Sequence, residues 1–156
     1  MKAVAAAILI ITLLVWGRHV STPTYDPYDQ AASPEFDAEG QNAYDTLNKA
    51  EYFALGGVGR GGTMSAGEGA LRLLLKQKHA EGAFVRLVRQ GSDAGKLYGL
   101  VGLKELHSAA LPKAVEPLLT SKASVGIQGG CLTMPAKVKD TALYIQEGFY
   151  RLGPER

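Results

Sequence analysis

An uncharged apolar run of thirteen residues begins directly behind Met1 and Lys2, and it constrains the chain more than any other feature. The run covers residues 3–15 and contains only alanine, valine, isoleucine, leucine and one threonine. A basic first segment followed by an apolar stretch of about 7–15 residues is typical of a secretory signal peptide. We therefore predict an exported protein, located in the periplasm, in the cell envelope or outside the cell.

Residues 1–17 have two interpretations, a cleaved signal peptide or an uncleaved membrane anchor. A thirteen-residue helix spans about 20 Å, which is less than the roughly 30 Å of a bilayer's hydrocarbon core. Gly17 is small enough for cleavage, although no A-x-A pattern precedes it. Trp16 suits a membrane interface and favours the anchor, which would give membrane association through residues 3–17.

Residues 18–41 predict a flexible linker, and residues 42–153 predict a single helical domain. The linker holds three prolines and several acids and has no apolar period. Its aromatic residues Tyr25, Tyr28 and Phe36 can dock on a partner or on the domain itself. The remainder of the chain is long enough to bury a core of its own.

Charge is unevenly distributed between the two parts of the chain. Residues 18–56 carry two basic and seven acidic residues, for a net charge of −5. Residues 57–156 carry fourteen basic and eight acidic residues, for a net charge of +6. The basic residues are scattered and are not interleaved with aromatic residues, which argues against nucleic acid as a partner. We expect the partner to be another protein.

Apolar residues recur at three- and four-residue steps and predict six short helices. The predicted ranges are residues 43–55, 65–78, 81–90, 94–106, 108–119 and 135–148. Ser65 and Glu68 form a capping-box pattern at the second helix, on which Arg72 is expected to face solvent. Gly99 and Gly102 lie three residues apart, which lets another helix approach closely.

Three proline and glycine signals complete the prediction of secondary structure. Residues 124–134 have apolar pairs on both sides of a glycine-rich centre and predict a small β-hairpin. Pro135 is expected to start the last helix, which would place Phe149 on its apolar face. Pro117 is expected to break or kink the fifth helix.

Glycine-rich segments carry a resemblance to known proteins. Residues 97–103 have the sequence LYGLVGL, which is similar to the inner helix of HEAT repeats. Together with FALGGVG at 53–59 and GGC at 129–131, the pattern resembles a group of uncharacterised exported bacterial proteins. The resemblance implies a mainly α fold, a short HEAT-like helical stack, with an irregular helical bundle as the alternative. It implies no activity.

Residues 57–62 contain the spacing G-x-G-x-x-G, followed by a capped helix. Such a loop can direct backbone N–H groups at a phosphate, but the motif requires a preceding strand, and we expect a helix there. Close helix packing or a flexible turn is the favoured interpretation. The alternative is a loop that binds an anion or a peptide. The candidate ligand or partner contacts are Gly57, Gly59, Arg60, Gly62 and Ser65.

No residue pattern predicts catalysis, a metal site or a cofactor. His19, His79 and His107 have no second ligand at helical spacing, and Cys131 is expected to be buried as a small hydrophobe. We therefore predict a protein-binding or scaffold domain that is not an enzyme. The alternatives are an accessory subunit of a membrane complex and a thiol enzyme centred on Cys131.

The apolar run leads to a prediction about location. We expect the mature chain outside the cytoplasm, and mass spectrometry of the native protein identifies its N-terminus. An N-terminus at or near Arg18 indicates cleavage, and an intact Met1 in the membrane fraction indicates an anchor. A cytosolic protein that retains residues 1–17 would contradict both interpretations.

Overall fold

The computed structural model describes Tyr28 and residues 36–153, and six helices with five short strands form its regular structure. The helices are α1 (Ala38–Asn48), α2 (Ala66–Leu75), α3 (Ala80–Gln90), α4 (Asp93–Glu105), α5 (Leu111–Leu119) and α6 (Val138–Glu147). The strands are β1 (Tyr52–Phe53), β2 (Gly57–Val58), β3 (Thr63–Met64), β4 (Ser124–Gly129) and β5 (Leu132–Lys137). The helix-rich fold confirms the predicted class. The apolar segment 3–17 and most of the predicted linker lie outside the described residues.

The first helix begins and ends earlier than the sequence predicted. Its range is Ala38–Asn48 instead of residues 43–55. The Asp37 carboxylate explains the start, because it accepts from the Gly40 N–H at 2.7 Å and caps the helix. Residues 38–41 of the predicted linker are therefore helical, and residues 52–53 form β1.

Helices α3 and α4 pack closely against each other, as the two spaced glycines predicted. A Cβ at Gly99 would lie 2.9 Å from the Phe84 carbonyl oxygen, and a Cβ at Gly102 would overlap the Phe84 ring. Because Gly99 and Gly102 have no side chain, α4 packs directly on α3, and Phe84 is fully buried. Leu97, Leu100 and Leu103 of α4 are also fully buried, so α4 is the central helix of the core.

A small mixed sheet covers one side of the helices, in the order β1-β4-β5. Strand β1 pairs parallel to β4, with Phe53 opposite Ile127. Strands β4 and β5 pair antiparallel and confirm the predicted hairpin, which extends to Lys137. Pro135 lies within β5 opposite Gly126, so the prediction that it starts the last helix was wrong. Proline is tolerated there because β5 is an edge strand and one side of its backbone has no ladder partner.

The last helix also differs from its prediction at its C-terminal end, whereas α5 ends at Leu119 as predicted. Phe149 is 73% exposed, so its predicted place on the apolar face of α6 was wrong. Gly148 ends α6 in the left-handed region (φ 95°) and redirects the chain before Phe149. Pro117 lies inside α5, which ends two residues later at Leu119. Lys104 Nζ donates to the carbonyls of Ile145 and Gln146 at the end of α6.

The burial of α4 leads to a prediction about stability. Changing Leu100 or Leu103 to Ala should lower the free energy of unfolding by about 2–5 kcal/mol, because each change leaves a cavity in a packed core. Urea unfolding followed by circular dichroism measures the loss. Leu106→Ala is the matched control, since Leu106 follows the same helix and is 37% exposed. Equal losses in the three variants would contradict the assignment of the buried face.

Candidate functional site

The glycine-rich segment between β1 and α2 folds as a β-hairpin. Its strands β2 and β3 are antiparallel, with Gly57 opposite Met64. The connection between them uses left-handed backbone at Gly59 (φ 69°) and Gly62 (φ 58°), which residues with a Cβ rarely adopt. A phosphate-binding G-x-G-x-x-G motif needs a turn from a strand directly into a helix. Here β3 intervenes before α2, so the segment does not have that geometry.

Three side chains fix the chain where it enters this hairpin. Tyr98 Oη donates to the Ala54 carbonyl (3.0 Å) and accepts from the Ala54 N–H (2.9 Å). Burial raises the pKa of the Tyr98 hydroxyl above its ordinary value, so the phenol keeps the proton that it donates. Ser65 Oγ donates to the same carbonyl (2.9 Å), and Glu68 Oε2 accepts from the Gly56 N–H (2.6 Å).

Glu68 forms a buried ion pair with Arg72, one turn further along α2. Arg72 Nη2 and Nε donate to Glu68 Oε1 at 2.7 and 3.0 Å, and the side chains of Arg72 and Glu68 are 12% and 6% exposed. Arg72 Nη2 also donates to the Gly153 carbonyl (2.6 Å). The prediction that Arg72 faces solvent was therefore wrong. The capping box is half confirmed: Ser65 Oγ accepts from the Glu68 N–H (3.0 Å), whereas the Glu68 carboxylate turns to Gly56 and Arg72.

A cavity of about 360 Å³ opens between the hairpin, the first turns of α2 and the segment after α6. Its lining residues are Gly56, Gly57, Gly61, Gly62, Thr63, Met64, Glu68, Arg72 and Gly153. Five of these nine residues are glycines, so much of the wall is bare main chain. The volume lies near the lower end of the roughly 300–1,000 Å³ that is usual for ligand pockets.

The five residues predicted as contacts occupy different places around this cavity. Gly57 and Gly62 line it. Gly59 lies beside the β4–β5 turn, and Arg60 is exposed at the connection between β2 and β3, outside the lining. Ser65 is buried as the α2 cap. Two of the five therefore belong to the cavity, and Arg60 is not its charged group.

Sequence reasoning missed the residues that give the cavity its polar character. Glu68 and Arg72 stand four residues apart on one helix, a spacing that places two side chains on the same face. That signal was available, although it does not distinguish a buried pair from an exposed one. Gly153 is 81 residues away from Arg72 in the sequence, and no local sequence pattern predicts the hydrogen bond between them.

Cys131 lies beside the hairpin and is exposed, so the expectation of a buried residue was wrong. It follows Gly130 (φ 55°) in the two-residue turn between β4 and β5, and glycine in the first position is typical of a type II′ turn. The Gly130 main chain forms two hydrogen bonds with the β2–β3 hairpin. Its N–H donates to the Gly57 carbonyl (3.1 Å), and its carbonyl accepts from the Gly59 N–H (2.7 Å). The two turns therefore support each other.

The two histidines within residues 36–153 lie at helix ends, and His19 lies outside the described residues. His79 precedes α3 and His107 follows α4, both exposed and both in left-handed backbone. Within residues 36–153, no group of three or more His, Cys, Asp or Glu residues is arranged to hold a metal ion. No helix in the described part of the chain is long and apolar enough to cross a bilayer.

Comparisons with known proteins yield no relatives. No protein-family model matches the chain, and no curated protein or solved structure is significantly similar to it. The geometry of the site therefore carries the argument about function.

The buried ion pair leads to a prediction about stability. Glu68→Gln should lower the free energy of unfolding by about 3 kcal/mol, because Arg72 keeps its charge in a largely buried position without a negative charge beside it. Asp93→Asn is the matched control, since Asp93 and Lys96 form a more exposed pair, with side chains 39% and 28% exposed, whose loss should cost less than about 1 kcal/mol. Urea unfolding measures both values. Similar losses would show that the Glu68 pair is no more important than a surface pair.

Proposed function

We propose that this chain is an exported or envelope-associated protein-binding domain, and that its glycine-lined cavity holds a short uncharged peptide segment of the partner protein. The observation that carries this proposal is the bare main chain of the cavity wall at residues 56–57, 61–62 and 153. A wall without side chains lets another backbone approach to hydrogen-bonding distance.

The charges of the cavity favour an uncharged occupant. Glu68 and Arg72 neutralise each other at 2.7 Å, so neither an anion nor a cation finds an uncompensated opposite charge there. A peptide main chain offers both donors and acceptors, which suits a lining of guanidinium, carboxylate and peptide groups. Met64, which is 41% exposed, adds an adaptable apolar surface of the kind that is enriched at protein interfaces.

The arrangement of the helices supports the scaffold part of the proposal. Successive helices pack as pairs, α1 with α2, α3 with α4, and α5 with α6. Paired helices stacked in chain order are the basis of a HEAT-like architecture, which presents extended surfaces for partner proteins. In this chain, strands are inserted within the first and third pairs, and the first insertion carries the cavity. We propose that the domain is a HEAT-like stack modified in this way. We also propose that residues 3–17 direct its export.

Gly61 offers a way to block the cavity without strain. Its φ is ordinary, and a Cβ there would meet only Thr63 Cγ2, at an acceptable 3.6 Å. By contrast, a Cβ at Gly57 would lie 2.8 Å from the Gly62 carbonyl oxygen. Gly61→Leu should therefore place a side chain at the cavity and leave the fold intact. Gly129→Ala is the matched control, because its Cβ meets nothing within 4 Å and Gly129 is not in the lining.

The proposal predicts peptide binding that Gly61→Leu weakens. The full chain is used to select from a phage-displayed library of random dodecapeptides, and isothermal titration calorimetry then measures the affinity of a selected synthetic peptide. Gly61→Leu should weaken binding about tenfold or more, whereas Gly129→Ala should leave it unchanged. Equal melting temperatures establish that both variants fold.

Two outcomes would contradict the proposal. One is a library that yields no enriched peptide. The other is a selected peptide that Gly61→Leu binds as tightly as the unmodified chain does, which would place the peptide outside the cavity.

A further inference from the structure

Residues 150–153 follow α6 and return across the domain to the cavity. The Tyr150 ring packs edge-on against Phe53 of β1, with ring centres 5.2 Å apart. The Leu152 side chain is half-buried against the core, and the Leu152 N–H donates to Glu105 Oε1 at the end of α4 (3.3 Å). The segment is therefore held on the domain by contacts with β1 and α4.

The end of this segment binds the charged pair of the cavity. Arg72 Nη2 donates to the Gly153 carbonyl at 2.6 Å, and Gly153 lines the cavity. The same guanidinium donates to Glu68 through Nε and Nη2, because it carries several N–H donors in one plane. A carbonyl of the chain's own main chain therefore lies at the cavity as an acceptor for Arg72, and every peptide offers such an acceptor whatever its side chains are.

We propose that Arg72 binds a main-chain carbonyl of the partner's peptide, and that residues 150–153 occupy Arg72 as an internal ligand until the peptide replaces them. The inference rests on the proposed peptide-binding function and deepens it, since it names the contact in the cavity and the competitor for that contact. The two competitors are alike in chemistry. One peptide carbonyl replaces another, so the exchange leaves Arg72 with an acceptor and keeps its ion pair with Glu68.

The two ends of the segment are held differently. Tyr150 packs on Phe53, which is fully buried, and forms the fixed end. Gly153 is exposed and has no side chain to bury, and the Leu152 N–H···O bond of 3.3 Å is longer than the usual 2.7–3.2 Å range. Residues 152–153 are therefore the end that a peptide displaces. A site that is open for only part of the time binds with an affinity reduced by that fraction, so the segment lowers the affinity for the partner.

Two variants loosen the segment from different elements and leave the cavity lining unchanged. Leu152→Ala removes a half-buried apolar side chain, and Glu105→Ala removes the acceptor on α4. Neither residue lines the cavity. Phe149→Ala is the matched control, because Phe149 precedes the segment, is 73% exposed and packs on Tyr144 instead.

Isothermal titration calorimetry on the full chain tests the inference with the synthetic peptide selected against the unmodified chain. Leu152→Ala and Glu105→Ala should each tighten binding about threefold or more, because the competitor then leaves Arg72 more often. Phe149→Ala should leave the affinity unchanged. NMR relaxation follows the segment itself: the backbone order parameter of Gly153 should fall when the peptide is added, and should be low in both loosened variants without peptide. Equal melting temperatures establish that the variants fold.

Arg72→Lys separates the two roles of Arg72. A lysine keeps the positive charge beside Glu68 but lacks the planar fork that reaches Glu68 and Gly153 together. Arg72→Lys should therefore release Gly153, as Leu152→Ala does, and yet weaken peptide binding. Opposite changes in affinity, with the same release of the segment, are the signature that a merely structural role of Arg72 would not give.

Three outcomes would overturn the inference. Unchanged affinity in both Leu152→Ala and Glu105→Ala would rule out the internal ligand and leave the proposed peptide-binding function standing. Unchanged or tighter binding by Arg72→Lys would rule out Arg72 as the carbonyl-binding group. A library that yields no peptide would contradict the proposed function, and this inference with it.

Discussion

The buried hydroxyl of Tyr98 is the contact on which the rest of this structure depends. A buried hydroxyl is costly unless it is hydrogen-bonded, and the Ala54 main chain satisfies it, with the carbonyl oxygen as acceptor and the N–H as donor. The Tyr98 ring packs on Phe53, with centres 4.9 Å apart, and Phe53 in turn packs on Tyr150. On the other side, a Cβ at Gly67 would overlap the Tyr98 hydroxyl. One side chain of α4 thus positions β1, α2 and the segment after α6. Strand β1 leads into the β2–β3 hairpin, and that hairpin surrounds the cavity together with α2 and the segment after α6.

Close packing of α4 explains why so small a domain has a rigid support for that side chain. Gly99 and Gly102 give the helix a flat face against Phe84, and the remaining faces of α4 meet other elements. Every residue of α4 from Leu97 to Leu103 is buried, and this part of the helix cannot shift without disturbing its neighbours, because protein interiors are packed almost without voids. The Tyr98 hydroxyl is therefore held at a fixed position beside Ala54. The hydrogen bonds at Ala54 and Gly56 in turn fix where the β2–β3 hairpin begins.

The parts of the fold that the sequence revealed are those that local physics determines. All six helices were predicted, because amphipathic spacing and caps such as Ser65 act within a few residues. The errors arose where distant partners decide. Phe53 lies in a strand because it pairs with Ile127, and Pro135 fits in β5 because β4 covers only one edge. At the site, the glycine spacing indicated the hairpin, but only the folded chain brings Gly153 to Arg72.

The Glu68–Arg72 pair does more than stabilise α2. In folding terms alone, well-packed apolar residues of similar volume would often serve as well or better, because the desolvation of two charges offsets much of their attraction. An apolar pair, however, could neither accept from the Gly56 N–H nor donate to the Gly153 carbonyl. Those two bonds connect α2 to the hairpin and to the C-terminal segment, and Gly56 and Gly153 both line the cavity. The ion pair thus joins two stretches of main chain in the cavity wall, which aliphatic side chains at positions 68 and 72 could not do, because they have no hydrogen-bonding groups.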